Sequence, residues 1–136
     1  MTTRILIALS AALEAATGAS LIVDPYFMTS LLLGVGISSG GAAVGRIGGF
    51  ALLSLGLACW PGRGDASAPT IRALFTYNLL AALYLGSLRV GGGFISSLLW
   101  PASALHTLLA ILLARATYEG IRRAGNRSVV IKTTQE

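Results

Sequence analysis

Four side chains in this sequence have types and surroundings that suit chemistry in an apolar medium: Glu14, Arg46, Asn78 and His106. Each lies inside a run of apolar residues. Glu14, in LEAATG, is about ten residues into the run that starts at Ile5, hence roughly 15 Å along a helix axis. A carboxylate at that depth is costly unless it is paired or protonated. It therefore reads either as a proton-coupled binding site or as a neutral or salt-bridged group that fixes helix packing. The second reading leads narrowly, because nothing else completes a transport motif. Arg46 enters its own run about one turn from the end, and its long stem can reach inward or snorkel to headgroups. A Glu14–Arg46 pair is the expected arrangement, with Asp24 as a competing partner for the arginine. His106 shares a stripe with Leu99, Ser103 and Ala110. With no second histidine and no cysteine cluster it lacks the company a metal needs, and nothing supports haem ligation. A neutral imidazole hydrogen-bonded between helices is the favoured reading. Asn78, flanked by Tyr77 and near Tyr84, is expected to bond across helices. Glu14, Asn78 and His106 lie at similar depths and could line one polar cavity. No nucleophile–base arrangement and no phosphate-binding loop is visible. The glycines of GVGISSGGAAVG follow no strand, so a dinucleotide site is excluded. The expectation is a non-enzymatic protein without cofactor or metal.

The elements that must position these groups are apolar helices. The chain has 136 residues, 54% hydrophobic and 11% charged, where a soluble domain carries about 25% charged residues. That much apolar surface must face lipid. Four runs approach the ~20 residues that cross a bilayer: 5–23, 41–60, 71–88 and 94–118. The first is too long, and has Glu14 in its apolar core, for a cleaved signal peptide. Its stripe of Ser10, Glu14, Thr17 and Gly18 opposes Ile5, Leu9, Ala12, Leu13 and Ala16, as in a helix with protein on one side and lipid on the other. Asp24-Pro25 ends it. Tyr26 to Ile37 is apolar but too short to cross, and reads as a helix lying at the interface. Pro61 to Pro69, PGRGDASAP, is a loop, with Thr70 as a candidate N-cap. Arg89 to Gly93 is a tight turn. Pro101, inside the fourth span, is expected to kink it and free the Ser97 carbonyl. Residues 119–136 read as a basic tail, a frayed helix end followed by disorder. The expected fold is all-α: one four-helix transmembrane bundle over residues 1–118, with a short interfacial helix before helix two.

Ten Lys and Arg against five Asp and Glu give a net charge of +5. No basic face with interleaved aromatics suits nucleic acid. The charge reads as topology instead. Four spans put both termini on one side, together with Arg4, Arg63, Arg72, Arg115, Arg122, Arg123, Arg127 and Lys132. The other side has Arg89, with Arg46 just inside the bilayer. The excess places both termini in the cytoplasm. Trp60 and Tyr118 then sit at the cytoplasmic interface, and Tyr26, Phe27 and Phe94 at the outer one. A lone Cys59 excludes an internal disulfide and reads as a small buried hydrophobe.

Gly41, Gly45 and Gly49 recur every fourth residue and permit close contact with another helix. Ala12, Ala16 and Ser20 offer the first helix a similar face. The series argues for tight packing more than for homodimerisation.

The segments LEAATGASLIVDP, GRIGGFALLSLGLACW, YNLLAALYLG and LLWPASALHTLLAILLA resemble a group of small bacterial inner-membrane proteins, four-helix and broadly DoxX-like. The resemblance runs roughly from Leu9 to Ala114 and rests on hydrophobic patterning with Glu14, Pro25, Arg46, Asn78, Pro101 and His106. It implies a fold and an inner-membrane location more than an activity. A second likeness is to small multidrug exporters, which also place a glutamate in their first helix. The long PGRGDASAP loop, the membrane arginine and the basic tail depart from that pattern. The leading expectation is a protein that binds a lipid-like ligand, or a partner such as another membrane protein or a second copy of itself. The rival is a proton-coupled exporter using Glu14. A subunit of a redox complex rests on His106 alone.

Overall fold

A computed structural model describes residues 3–62, 67–94 and 96–133, with side chains as far as residue 119. Among the described residues every regular element is a helix: α1 (Thr3–Val23), α2 (Pro25–Leu33), α3 (Ser39–Ala58), α4 (Ala68–Val90) and α5 (Leu99–Thr133). Four of them, α1, α3, α4 and the part of α5 from Leu99 to Glu119, are long and apolar enough to cross a bilayer. At most 33% of the apolar window of any one is buried. The remainder turns outward, with Leu9, Val44, Ile47, Phe50, Leu80, Leu83, Leu108 and Ile111 all exposed. Water would not tolerate so large an apolar surface on a monomer, whereas lipid requires it. The chain is a small polytopic membrane protein.

Local chemistry sets the helix ends. Asp24 caps α2, its carboxylate accepting from the Phe27 amide at 3.0 Å, and Pro25 occupies the first turn, where its missing N–H costs nothing. Gly34 closes α2 in the left-handed conformation at φ 74°, which glycine adopts without strain. Ser38 caps α3 through the Gly41 amide, so the helix begins at Ser39 rather than Gly41. Ser67, not Thr70, caps α4. The Thr70 hydroxyl instead lies 2.6 Å from Ser67 Oγ, and Pro69 falls within the helix rather than in a loop.

The fourth span departs most from expectation. It begins at Leu99, not Phe94. Arg89 holds the preceding loop, donating from Nη1 to the Phe94 carbonyl at 3.3 Å while its guanidinium lies 6.0 Å from the Trp100 ring centroid. Ser96 Oγ accepts from the Leu98 amide and marks the helix start. Pro101 is thereby the third residue of α5, in the first turn, where the proline N–H would be unpaired anyway. It neither kinks a span nor frees a mid-helix carbonyl. At its other end α5 continues to Thr133, past the point where a frayed end and disorder were expected. Extending an existing helix needs no new nucleus, and no proline interrupts residues 119–133.

The bundle is two hairpins. α1 packs most extensively on α3, and α4 on α5, while α1 meets α4 and α5 more sparingly. The α1–α3 contact is made at backbone distance. A Cβ placed on Gly18 would lie 2.5 Å from the Leu53 nitrogen and 2.6 Å from the Gly49 oxygen; one on Gly56 would lie 2.6 Å from the Ala11 oxygen. The face α1 uses is thus Ala11, Ala15 and Gly18, whereas Ala12, Ala16 and Ser20 are exposed. Of the glycine series on α3, only Gly49 touches backbone of α1. A Cβ on Gly45 would lie 3.3 Å from Pro25 Cβ, and one on Gly41 would meet only Ile37 and Ser38 just before it. An apolar cluster of Leu6, Ile7, Ala11, Cys59, Ile71, Leu74, Leu109 and Leu113 ties all four long helices together near the N-terminal end of α1. Towards the other end Ser96 Oγ donates to the Leu31 carbonyl at 2.7 Å and joins α2 to the segment before α5.

Candidate functional site

Between those two attachments, on the seam between the hairpins, lie the polar groups of the spans. Glu14 and Ser10 are one turn apart on α1 and both point away from lipid: each is 0% exposed, as is Asn78 on α4. Helical spacing does this directly, since residues four apart share a face. Asn78 is the hub. Its Nδ2 donates to Ser10 Oγ at 2.9 Å, across the seam, and to the Leu74 carbonyl at 2.9 Å, one turn back on its own helix. Its Oδ1 lies 2.8 Å from His106 Nδ1 on α5. Tyr77, next on α4, presents its ring edgewise to His106, centroids 6.0 Å apart at 77°. Ser103, one turn before His106, donates to the Ala82 carbonyl at 3.1 Å and holds α5 against α4.

Glu14 differs from its neighbours. Both carboxyl oxygens are buried, and neither has a hydrogen-bond partner. The side chains of Tyr77 and Asn78 lie within reach of the carboxyl, but neither completes a bond to it. A buried polar group left unsatisfied costs about 1–3 kcal/mol, more if charged.

Arg46 is not at this site. It is exposed on α3, and its Nε donates to the Ile22 carbonyl at 3.3 Å. That carbonyl belongs to the last turn of α1, where no intrahelical donor remains and the helix dipole favours a cation. Asp24, the other acid considered for Arg46, caps α2. The expected Glu14–Arg46 pair is therefore absent. Residue spacing puts Arg46 within a long side chain's reach of several acceptors, and the nearest is a helix end rather than a carboxylate. Gly41, Gly45 and Gly49 are not part of the polar group either: Gly49 meets Gly18 of α1, Gly45 meets Pro25, and Gly41 meets Ile37 and Ser38. The structure brings Glu14, Asn78 and His106 together and adds Ser10 and Tyr77. Ser10 stands on the same sequence stripe as Glu14, which is the signal that finds it. Tyr77 is found only through its position beside Asn78.

Chemically, the group offers two free carboxyl oxygens, one imidazole and a fully engaged amide. It can hold or release protons, and it can accept hydrogen bonds from a ligand entering the seam. Comparison with family models, with curated proteins and with solved structures gives no match for this chain.

Proposed function

We propose that this protein is a non-enzymatic, proton-linked carrier of small molecules, in which Glu14 binds and releases the proton and the seam between the hairpins is the path. The observation that carries the reading is the fully buried, unpartnered Glu14 carboxyl. Stability alone favours an apolar residue at such a position, so an ionisable group kept there calls for a use. Arg46 supports the reading by its absence from the seam: it neither neutralises Glu14 nor repels a cationic substrate. The resemblance to DoxX-like inner-membrane proteins and the charge imbalance support a bacterial inner-membrane location with both termini in the cytoplasm.

The test is spectroscopic and functional. Infrared difference spectra of the protein in lipid vesicles, recorded across a pH step, should show one buried carboxyl changing between its protonated and ionised forms. Glu14→Gln should erase that band while the protein still folds. Export of lipophilic cations from cells should require Glu14. A Glu14 that keeps one protonation state throughout the physiological pH range would overturn the proposal.

A second reading has its own observation. The two hairpins meet each other much less than their own helices do, which favours a lipid-like ligand or a membrane partner wedged between them, with Glu14 as its hydrogen-bond acceptor. In that case Glu14→Gln weakens ligand binding without removing any proton-driven step.

A further inference from the structure

The orientation of one amide determines the state of the histidine. The Leu74 carbonyl can only accept a hydrogen bond, so the Asn78 atom 2.9 Å from it must be the nitrogen. The same nitrogen also serves Ser10 Oγ. The atom turned to His106 is then the amide oxygen, which can only accept. His106 Nδ1, 2.8 Å away, must therefore carry a proton. In a neutral imidazole this leaves Nε2 with its lone pair.

That nitrogen is available. Nε2 has no hydrogen-bond partner among the described residues. It is also not sealed as the Glu14 oxygens are: those two are the buried, unpartnered polar side-chain atoms of the described residues, and Nε2 is not one of them. A proton arriving at Nε2 breaks no bond, because the imidazolium still donates from Nδ1 to Asn78. The groups facing the ring are Asn78 and Tyr77 from α4, with Glu14 of α1 beyond them. On the other elements Cys59 lies in the apolar cluster, and Asp24 and Arg46 are exposed.

We propose that Asn78 is a positioning residue that locks His106 with a proton on Nδ1, and that His106 Nε2 is thereby a second proton-binding atom of the site, open where Glu14 is closed. The inference deepens the proton-linked reading and rests on it for its functional meaning, although the tautomer itself does not. The unit then has a sealed carboxyl on one hairpin and an accessible base on the other, and between them an amide that donates to Ser10 of the first and accepts from His106 of the second.

The chain has one histidine, so nitrogen-15 labelling of histidine gives unambiguous signals, provided purification avoids a histidine tag. The full chain in lipid is titrated while both ring nitrogens are followed. At high pH, Nδ1 should be protonated and Nε2 bare. On acidification, Nε2 should gain the proton while Nδ1 keeps its own. Ser10→Ala should leave this pattern intact, because the Leu74 carbonyl still orients the amide. Asn78→Leu should release the ring toward the Nε2–H form that free imidazole prefers. A wild-type ring protonated on Nε2 and bare at Nδ1 overturns the proposal, as does an Asn78→Leu ring that keeps the Nδ1 proton alone. If Asn78→Leu does not fold, the wild-type and Ser10→Ala spectra still decide the matter. Repeating the titration in Glu14→Gln separates the two proposals. The tautomer and the Nε2 titration should persist there, and they stand even if Glu14 itself never changes protonation.

Discussion

Two of the interfaces in this bundle are built on opposite principles. Between α1 and α3 backbone meets backbone: Gly18, Gly49 and Gly56 bring the two helices so close that a single methyl group has no room. Between the hairpins the contact is side-chain chemistry: Asn78 of α4 donates to Ser10 across the seam while it holds His106 of its own hairpin, and Glu14 is left without a bond. In lipid, the first kind of contact is held by dispersion and close approach, and the second by polar groups that have no better partner. The first tolerates no change of volume. The second tolerates changes of volume better than changes of hydrogen-bonding pattern, and it contains the groups that can titrate. The close contact between α1 and α3 and the chemistry at the seam thus use different residues of α1: Ala11, Ala15 and Gly18 for the one, Ser10 and Glu14 for the other.

The comparison breaks most readily at the glycines. Gly56→Leu should cost upwards of about 3 kcal/mol, because the atoms it meets are backbone of Ala11 and Ala15 and cannot turn aside. Gly48→Ala is the control. Nothing lies within 4 Å of a Cβ there, and the loss of helical glycine should be neutral or gain up to about 1 kcal/mol. Thermal melting in detergent compares the two, and equal losses would dissolve the claim of a backbone contact. At the seam, Asn78→Leu should cost about 1–3 kcal/mol, since it strands buried Ser10 and half-buried His106. Ser96→Ala removes two bonds, the one to the Leu31 carbonyl and the one from the Leu98 amide, and at about 0.6 kcal/mol for each hydrogen bond should cost about 1 kcal/mol. Smallest of all is the coupling between Glu14 and Arg46. With no contact between them, the losses in Glu14→Gln, Arg46→Gln and the double variant should add to within about 0.5 kcal/mol. A larger coupling would place the arginine at the carboxyl after all.

Much of this was legible in the sequence. Four apolar runs announced four spans, and the Ser10–Glu14 stripe pointed to a protein-facing side of α1. The middle depth of Asn78 and His106 put them level with Glu14. What the sequence hid depends on how helices cross. Several stripes of small residues run along α1 and α3, and the spacing of Gly41, Gly45 and Gly49 draws attention to the wrong part of one. The contact in fact runs through Gly49 and Gly56, two turns apart, and meets Ala11, Ala15 and Gly18. Which stripe is used follows from the packing angle, and no spacing within one helix encodes it. Pro101 shows a second limit. Its effect depends on where α5 starts, and Arg89 and Ser96 set that start through contacts in the preceding loop. Arg46 shows a third: a flexible cation within reach of a carboxylate and a helix end gives no local sign of which it takes.

The glycine contact also has a consequence for the order of assembly. α1, α2 and α3 hold everything that interface needs, so the first hairpin can close as soon as α3 has entered the bilayer. Asn78 and His106 are synthesised later. During that interval Glu14 is already in the membrane, facing lipid or a neighbouring protein, without the helices that will enclose it. A charged side chain is strongly disfavoured there, so the packing of the second hairpin on the first, which buries both oxygens of this carboxyl, is also the step that takes it out of lipid.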